Sequence, residues 1–278
     1  MSKEAINRLQ NVTPKPTDAE VLALMFDSAT IGDDGTLRGR LKTILRATES
    51  SVVPGLQTGI TFHDTGFRKD FKDPWPHSDN QVGHFLTAVG LSFNPDKVAE
   101  SFMGRRLRDW IGADDTMTNE EVALRLTVGH EKDADPGPAT AAGGAVVGGV
   151  AGAVGGGLLA GKWGAIGGGA AGAGLGAAGA VLLGFRDQFN ACTTGDVQNF
   201  NDGVNSLGVG GKLNGTAALA KLKGVKVDST VRGNSYEDLL LSAYGWWLGQ
   251  EIKSGRMSSK PDAATWVRDN LAAAPAKP

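Results

Sequence analysis

Gly144-Ala-Val-Val-Gly148-Gly-Val-Ala-Gly152-Ala-Val-Gly-Gly156 is followed, after Gly161-Lys162-Trp163, by Gly164-Ala-Ile-Gly-Gly168-Gly-Ala-Ala-Gly172-Ala-Gly-Leu-Gly176. In both runs glycine recurs at every fourth residue. Four residues are 400° of α-helix, so each run predicts a slowly drifting ridge without side chains. Such a ridge lets a second backbone approach closely, the small-xxx-small arrangement of paired membrane helices. Both ridges lie within residues 136–185, a stretch of mostly Gly, Ala, Val and Leu whose one charge is Lys162. On the first arm Val146, Val150, Val154 and Leu158 stand two residues off the ridge, 200° away and therefore opposite it. Ile166, Ala170, Gly174, Ala178 and Leu182 hold that offset on the second. The pattern predicts a helical hairpin with Lys162 and Trp163 at its tip, where a cation and an amphipathic ring suit a membrane interface.

Each arm, 139–161 and 164–185, is long enough at ~1.5 Å per residue to cross a ~30 Å hydrocarbon layer. Each also holds nine glycines, and a glycine costs roughly 1 kcal/mol against alanine inside a helix. The large aliphatics of the first arm return only about 0.3–0.6 kcal/mol apiece on insertion. An isolated arm is thus a poor helix and a marginal span. The hairpin depends on its ridges packing against each other, against copies, or inside a protein, and conditional insertion is expected over a permanent anchor.

The residues from Gly144-Ala-Val-Val-Gly148 through Gly184 resemble the glycine-zipper domains of small bacterial outer-membrane lipoproteins and of some secreted bacterial toxins. The resemblance implies a membrane-inserting or self-assembling hairpin and a bacterial source. It covers under a fifth of the chain. Those lipoproteins open on a signal peptide and a lipidated cysteine, whereas this chain opens Met1-Ser-Lys-Glu-Ala-Ile-Asn-Arg and holds Cys192 alone. The resemblance therefore carries the packing device rather than the lipoprotein role.

Two nucleotide motifs fall in the same tract. Gly156-Gly-Leu-Leu-Ala-Gly161-Lys162-Trp163 is one residue short of a Walker A loop, with Trp163 where a metal-binding Ser or Thr belongs. Gly174-Leu-Gly176-Ala-Ala-Gly179 matches G-x-G-x-x-G. Neither follows the β-branched strand that both motifs require, so chance in a glycine-rich tract accounts for them.

Of 278 residues 21% are charged and the formal net charge is −2, which offers no electrostatic footprint for nucleic acid. Arg105-Arg106-Leu107-Arg108 reads as a solvated helix face. One cysteine excludes an intramolecular disulfide framework. The polar opening residues show no Sec-type signal peptide, so the expectation is a membrane-associated protein, or one secreted by another route, with secretion machinery or an immunity or chaperone protein as further partners.

The flanks read as helical. Thr17-Asp18-Ala19-Glu20 is a capping pattern before Val21, Leu22, Leu24 and Met25. Leu37, Leu41, Ile44 and Leu45 recur at helical spacing. Residues 54–76 read as an aromatic, Gly/Pro-punctuated loop. Ser78-Asp79-Asn80 precedes a helix whose buried face holds Val82, Phe85, Leu86 and Val89. Residues 96–110 and 118–130 predict two more helices. Residues 186–200 predict another, then a loop over 203–215, with 225–231 the best strand candidate. Ser235 caps a helix with Glu237 and Asp238 in its first turn, and Pro261-Asp262 opens a last one. The expected fold is mainly α: one discontinuous helical domain, 1–135 plus 186–278, carrying the hairpin 136–185.

His63, His77, His84 and His130 are the only groups whose pattern suggests chemistry. A metal-assisted hydrolase could gather such a set with Glu131 or Asp79 as base. His130-Glu131-Lys132-Asp133-Ala134 lacks the second histidine of H-E-x-x-H. His84 sits beside Gly83, with Asn80 and Gln81, in the best polar spot of an apolar helix, and ranks first; His63, His130 and Glu131 follow. The sequence names no cofactor and leaves a metal open. No G-x-S-x-G supports a serine nucleophile. The primary reading is a membrane-inserting or self-assembling effector or toxin-like protein; the alternatives are a soluble histidine-dependent hydrolase and a non-catalytic oligomerising protein.

Overall fold

The computed structural model describes residues 3–29, 32–49, 62–63, 65–72, 81–95, 113, 115–132, 189–208, 212–229 and 234–274. The glycine ridges with Trp163, the helix expected over 96–110, and His77 and Asp79 lie outside the described residues. The described part is mainly helical, as the hydrophobic spacing predicts, and holds no strand.

Three helices open the chain: α1 (Lys3–Gln10), α2 (Asp18–Asp27) and α3 (Leu37–Glu49). Thr17 caps α2 by accepting the Glu20 amide, as its sequence pattern predicts. A single 3₁₀ turn, Lys69–Phe71, leads toward α4 (Gln81–Phe93) and α5 (Asn119–Lys132). Beyond the insert come α6 (Thr194–Ser206), α7 (Gly215–Leu222), α8 (Tyr236–Ser254) and α9 (Lys260–Asn270).

The organising element is α8. Every residue from Asp238 to Gly249 is buried, so the helix is enclosed on all sides over that span. Its principal neighbour is α4, from the other side of the insert. The two backbones approach because α8 carries Gly245 and Gly249 one turn apart. A Cβ at Gly245 would lie 2.5 Å from the Phe85 carbonyl oxygen, and one at Gly249 2.5 Å from that of Val89. Any side chain there would force the helices apart. The Ser92 hydroxyl closes the seam by donating to the Trp246 carbonyl at 2.7 Å.

Aromatic rings fill the rest of this centre. Trp247 stacks on Trp266 of α9 with centroids 5.4 Å apart, and Phe85 of α4 lies 6.2 Å from the same indole. Such pairs add about 0.5–1.5 kcal/mol beyond their area. One contiguous apolar cluster runs from Ile6 and Leu22 through Phe85 to Trp246 and Val267, drawing on segments before and after the insert. At the surface Arg268 of α9 grips Glu20 of α2 at 2.7 Å.

Three local expectations are corrected. The helix expected to run unbroken over 186–200 is interrupted at Cys192 and Thr193, because Thr193 and Asp196 form a reciprocal capping box that starts α6 anew. The loop expected from Gly203 begins later: Gly203 lies inside α6, where its missing side chain makes room for Leu222 of α7. The strand expected over 225–231 does not form among its described residues. Val225 is buried, its carbonyl accepts the Tyr236 hydroxyl at 2.9 Å and the Val227 amide at 3.1 Å, and the described residues hold no second strand to pair with it.

Candidate functional site

Among the described residues, His84 is the histidine that the fold places in a cluster of acidic groups. It lies on α4 one turn beyond Gln81. Its Nδ1 is 3.0 Å from Oε1 of Glu131, in the last turn of α5. Asp238 reaches the same spot from the first turn of α8. Ser235 fixes where that helix begins, its Oγ accepting the Asp238 amide at 3.0 Å. One turn on, Ser242 donates to the Glu131 Oε1 at 3.4 Å, and Gln81 Nε2 stands 3.5 Å from the Asp238 Oδ1. Ligand atoms of His84, Glu131 and Asp238 all lie within 4.8 Å of one another.

Burial is what distinguishes this cluster from a surface one. Glu131 is 1% exposed and Asp238 2%, while the His84 side chain keeps 12%. Carboxylates so close and so dry favour sharing a positive charge, as a proton or as a cation. The arrangement can hold a proton between imidazole and carboxylate, or bind an ion through one nitrogen and several oxygens.

The remaining candidates separate. His63 lies against α2, where its amide donates to the Asp18 carboxylate at 2.8 Å; it lines a polar cleft with Asn7, Asn11 and Lys15. It is not part of the His84 cluster. His130 falls within α5, but its side chain lies outside the described residues.

A second polar arrangement adjoins the first and joins the described segments on either side of residues 133–188. Lys132, next to Glu131, donates its ammonium to the Ala191 carbonyl at 2.7 Å and pairs with Asp196 at 2.6 Å. Arg125, two turns earlier on α5, donates to the Cys192 carbonyl and to the Thr194 hydroxyl, both at 3.1 Å, and lies over the Phe189 ring. Asn234 donates to the Lys132 carbonyl at 3.1 Å. Residue 132 and residues 189–196 are thereby bound side by side. Burial pushes the Asp196 carboxyl up, but hydrogen bonds from Lys132 and Thr193 together outweigh it and hold it below the ordinary carboxylate value. Burial, with Asp196 nearby, pushes the Cys192 thiol up to about 12, so it stays protonated and unreactive.

Sequence reading finds His84 and Glu131 but misses Asp238, whose place in a helix's first turn has a sufficient dipole explanation. It misses Arg125, Lys132 and Asp196 as well. The spacing Thr193-x-x-Asp196 was the available signal for the capping box, and with it for the break at the root. Among the described residues, no helix is long and apolar enough to cross a membrane. Comparison of the chain with protein-family models, curated proteins and solved structures finds no match.

Proposed function

We propose that this is a bacterial effector or toxin-like protein, whose helical body presents a glycine-zipper hairpin, residues 136–185, for membrane insertion or self-assembly. The observation that supports this reading most directly is the root. A hairpin must leave and re-enter its host at one place, and the Lys132–Ala191 and Lys132–Asp196 contacts bind the flanking residues side by side. An excursion with joined ends can move or insert without opening the core that holds it. The spacing of Gly144, Gly148, Gly152 and Gly156, repeated from Gly164 to Gly176, supplies the close-packing surface.

The test compares three substitutions in co-sedimentation and dye release with anionic vesicles, alongside sedimentation velocity of the free chain. Gly148→Leu and Gly152→Leu should abolish vesicle binding or self-association, because they overfill a backbone contact; Val150→Leu, on the opposite face, should be tolerated. Equal effects from all three would remove the zipper from the account.

A histidine-dependent hydrolase is the second reading, favoured by the 3.0 Å His84–Glu131 pair. In that reading Glu131 orients His84 as a base. Against it stands the burial of the cluster, since a substrate must reach the imidazole through its small exposed edge.

A further inference from the structure

We infer that His84, Glu131 and Asp238 form a binding site for one divalent transition-metal ion, which ties α4 and α5 to α8 beside the root of the insert. This inference rests on neither reading of the function.

Three features carry it. The first is the donor set. One imidazole with two carboxylates suits a borderline ion such as Zn²⁺ or Fe²⁺; a site made for Mg²⁺ or Ca²⁺ takes oxygen donors alone. The second is spacing. Ligand atoms ~2.0–2.2 Å from one ion stand roughly 3–3.5 Å from each other. The His84–Glu131 separation of 3.0 Å already meets this, and the common limit of 4.8 Å for the group leaves only small side-chain rotations to complete it. The third is support around the ligands. Ser242 holds the Glu131 carboxylate, and Gln81 approaches Asp238, the outer hydrogen bonding that orients metal ligands. His84, the partly exposed member, gives the ion its way in.

The position gives such an ion a structural consequence. Its ligands come from helices on both sides of the insert, and Glu131 directly precedes Lys132, the residue that holds the root. An ion here clamps together the segments before and after residues 133–188.

Calorimetric titration of the metal-stripped full chain with Zn²⁺ and Mg²⁺ tests the site. Expected is saturable Zn²⁺ binding to a single class of sites, with Mg²⁺ at least ~10-fold weaker. Asp238→Asn and His84→Gln should each weaken Zn²⁺ by ~10-fold or more, while His63→Ala binds as the unaltered chain does. The thermal midpoint should rise with Zn²⁺ in the unaltered chain and stay fixed in Asp238→Asn. If a substituted chain fails to fold, the Co²⁺-loaded unaltered chain still decides: a paramagnetically shifted, exchangeable imidazole N–H signal reports histidine ligation. Absence of saturable Zn²⁺ binding overturns the assignment. So does full affinity in both ligand variants, loss of affinity in His63→Ala, or a Co²⁺ form without that signal.

Discussion

Two glycine repeats in this chain share one spacing and differ in what surrounds them. The first, Gly144 to Gly156 with its repeat from Gly164 to Gly176, is surrounded by Ala and Val, so any helix it forms shows little but backbone. The second is Gly245-Trp-Trp-Leu-Gly249, two glycines in the middle of α8, flanked by two of the largest side chains a protein has. In the second the partner is known. The Phe85 and Val89 carbonyls of α4 occupy the space where side chains would be, and Trp246 and Trp247 lock the crossing by filling the volume around it. A four-residue glycine repeat therefore specifies close approach and nothing about the medium. Whether the partner is a helix of the same core, a copy of the chain or a membrane helix depends on what the other faces of the helix offer.

The contrast is broken most severely at α8. Gly249→Leu places a branched side chain against the Val89 carbonyl and the Ser92 hydroxyl, and should destabilise the body by about 3 kcal/mol or more in urea unfolding. Gly148→Leu should leave the same unfolding curve in place while removing vesicle binding or assembly. If Gly148→Leu costs as much stability as Gly249→Leu, the first seam is also part of the folded core and the contrast disappears.

The root comes next in size. Lys132→Met leaves Asp196 buried without its ammonium partner and should cost about 2 kcal/mol at neutral pH. Because the Asp196 carboxyl titrates below its ordinary value when folded, the stability it contributes is present above about pH 4 and lost as the pH falls through the lowered value. In Asp196→Asn that part of the acid-side decline should vanish. An unchanged acid limb would show that other carboxylates set it.

Replacing residues 139–184 by a short flexible linker should change the body less still. Lys132 and residues 191–196 are held side by side, so a short bridge should suffice and the shortened chain should unfold cooperatively with a midpoint within a few degrees of the full one. Separate unfolding of residues 1–135 would mean that α4 and α8 do not depend on each other.

The smallest effect concerns Cys192. With its thiol held up to about 12, labelling by a thiol reagent at neutral pH should be undetectable in the folded chain and complete in urea. Rapid labelling of the folded chain would place the root in frequent opening.

Much of the local structure was legible from residue types alone. The Thr17 and Ser235 caps, the apolar faces of α2 to α4, and Pro261 at the start of α9 act within a turn or two of chain, so composition and spacing suffice to find them. The glycine repeat of residues 144–176 belongs here too: its periodicity is a property of the sequence, whatever surrounds it. His84 stood out because a polar group on an apolar helix needs a reason.

Tertiary structure decided the rest. Asp238 is a first-turn acid like many others until α4 and α5 bring His84 and Glu131 to it. Lys132 is an ordinary last-turn lysine until residues 189–196 return beside it. Gly203 reads as the start of a loop until Leu222 fills the space it leaves, and only the backbone of α4 gives Gly245 and Gly249 their role. The physical reason is common to all of these. Hydrogen-bond geometry within a helix is set by neighbours three and four residues away, whereas burial, pairing and close approach are set by groups more than 40 residues away in the case of His84 and Glu131, and more than 150 in the case of Gln81 and Asp238.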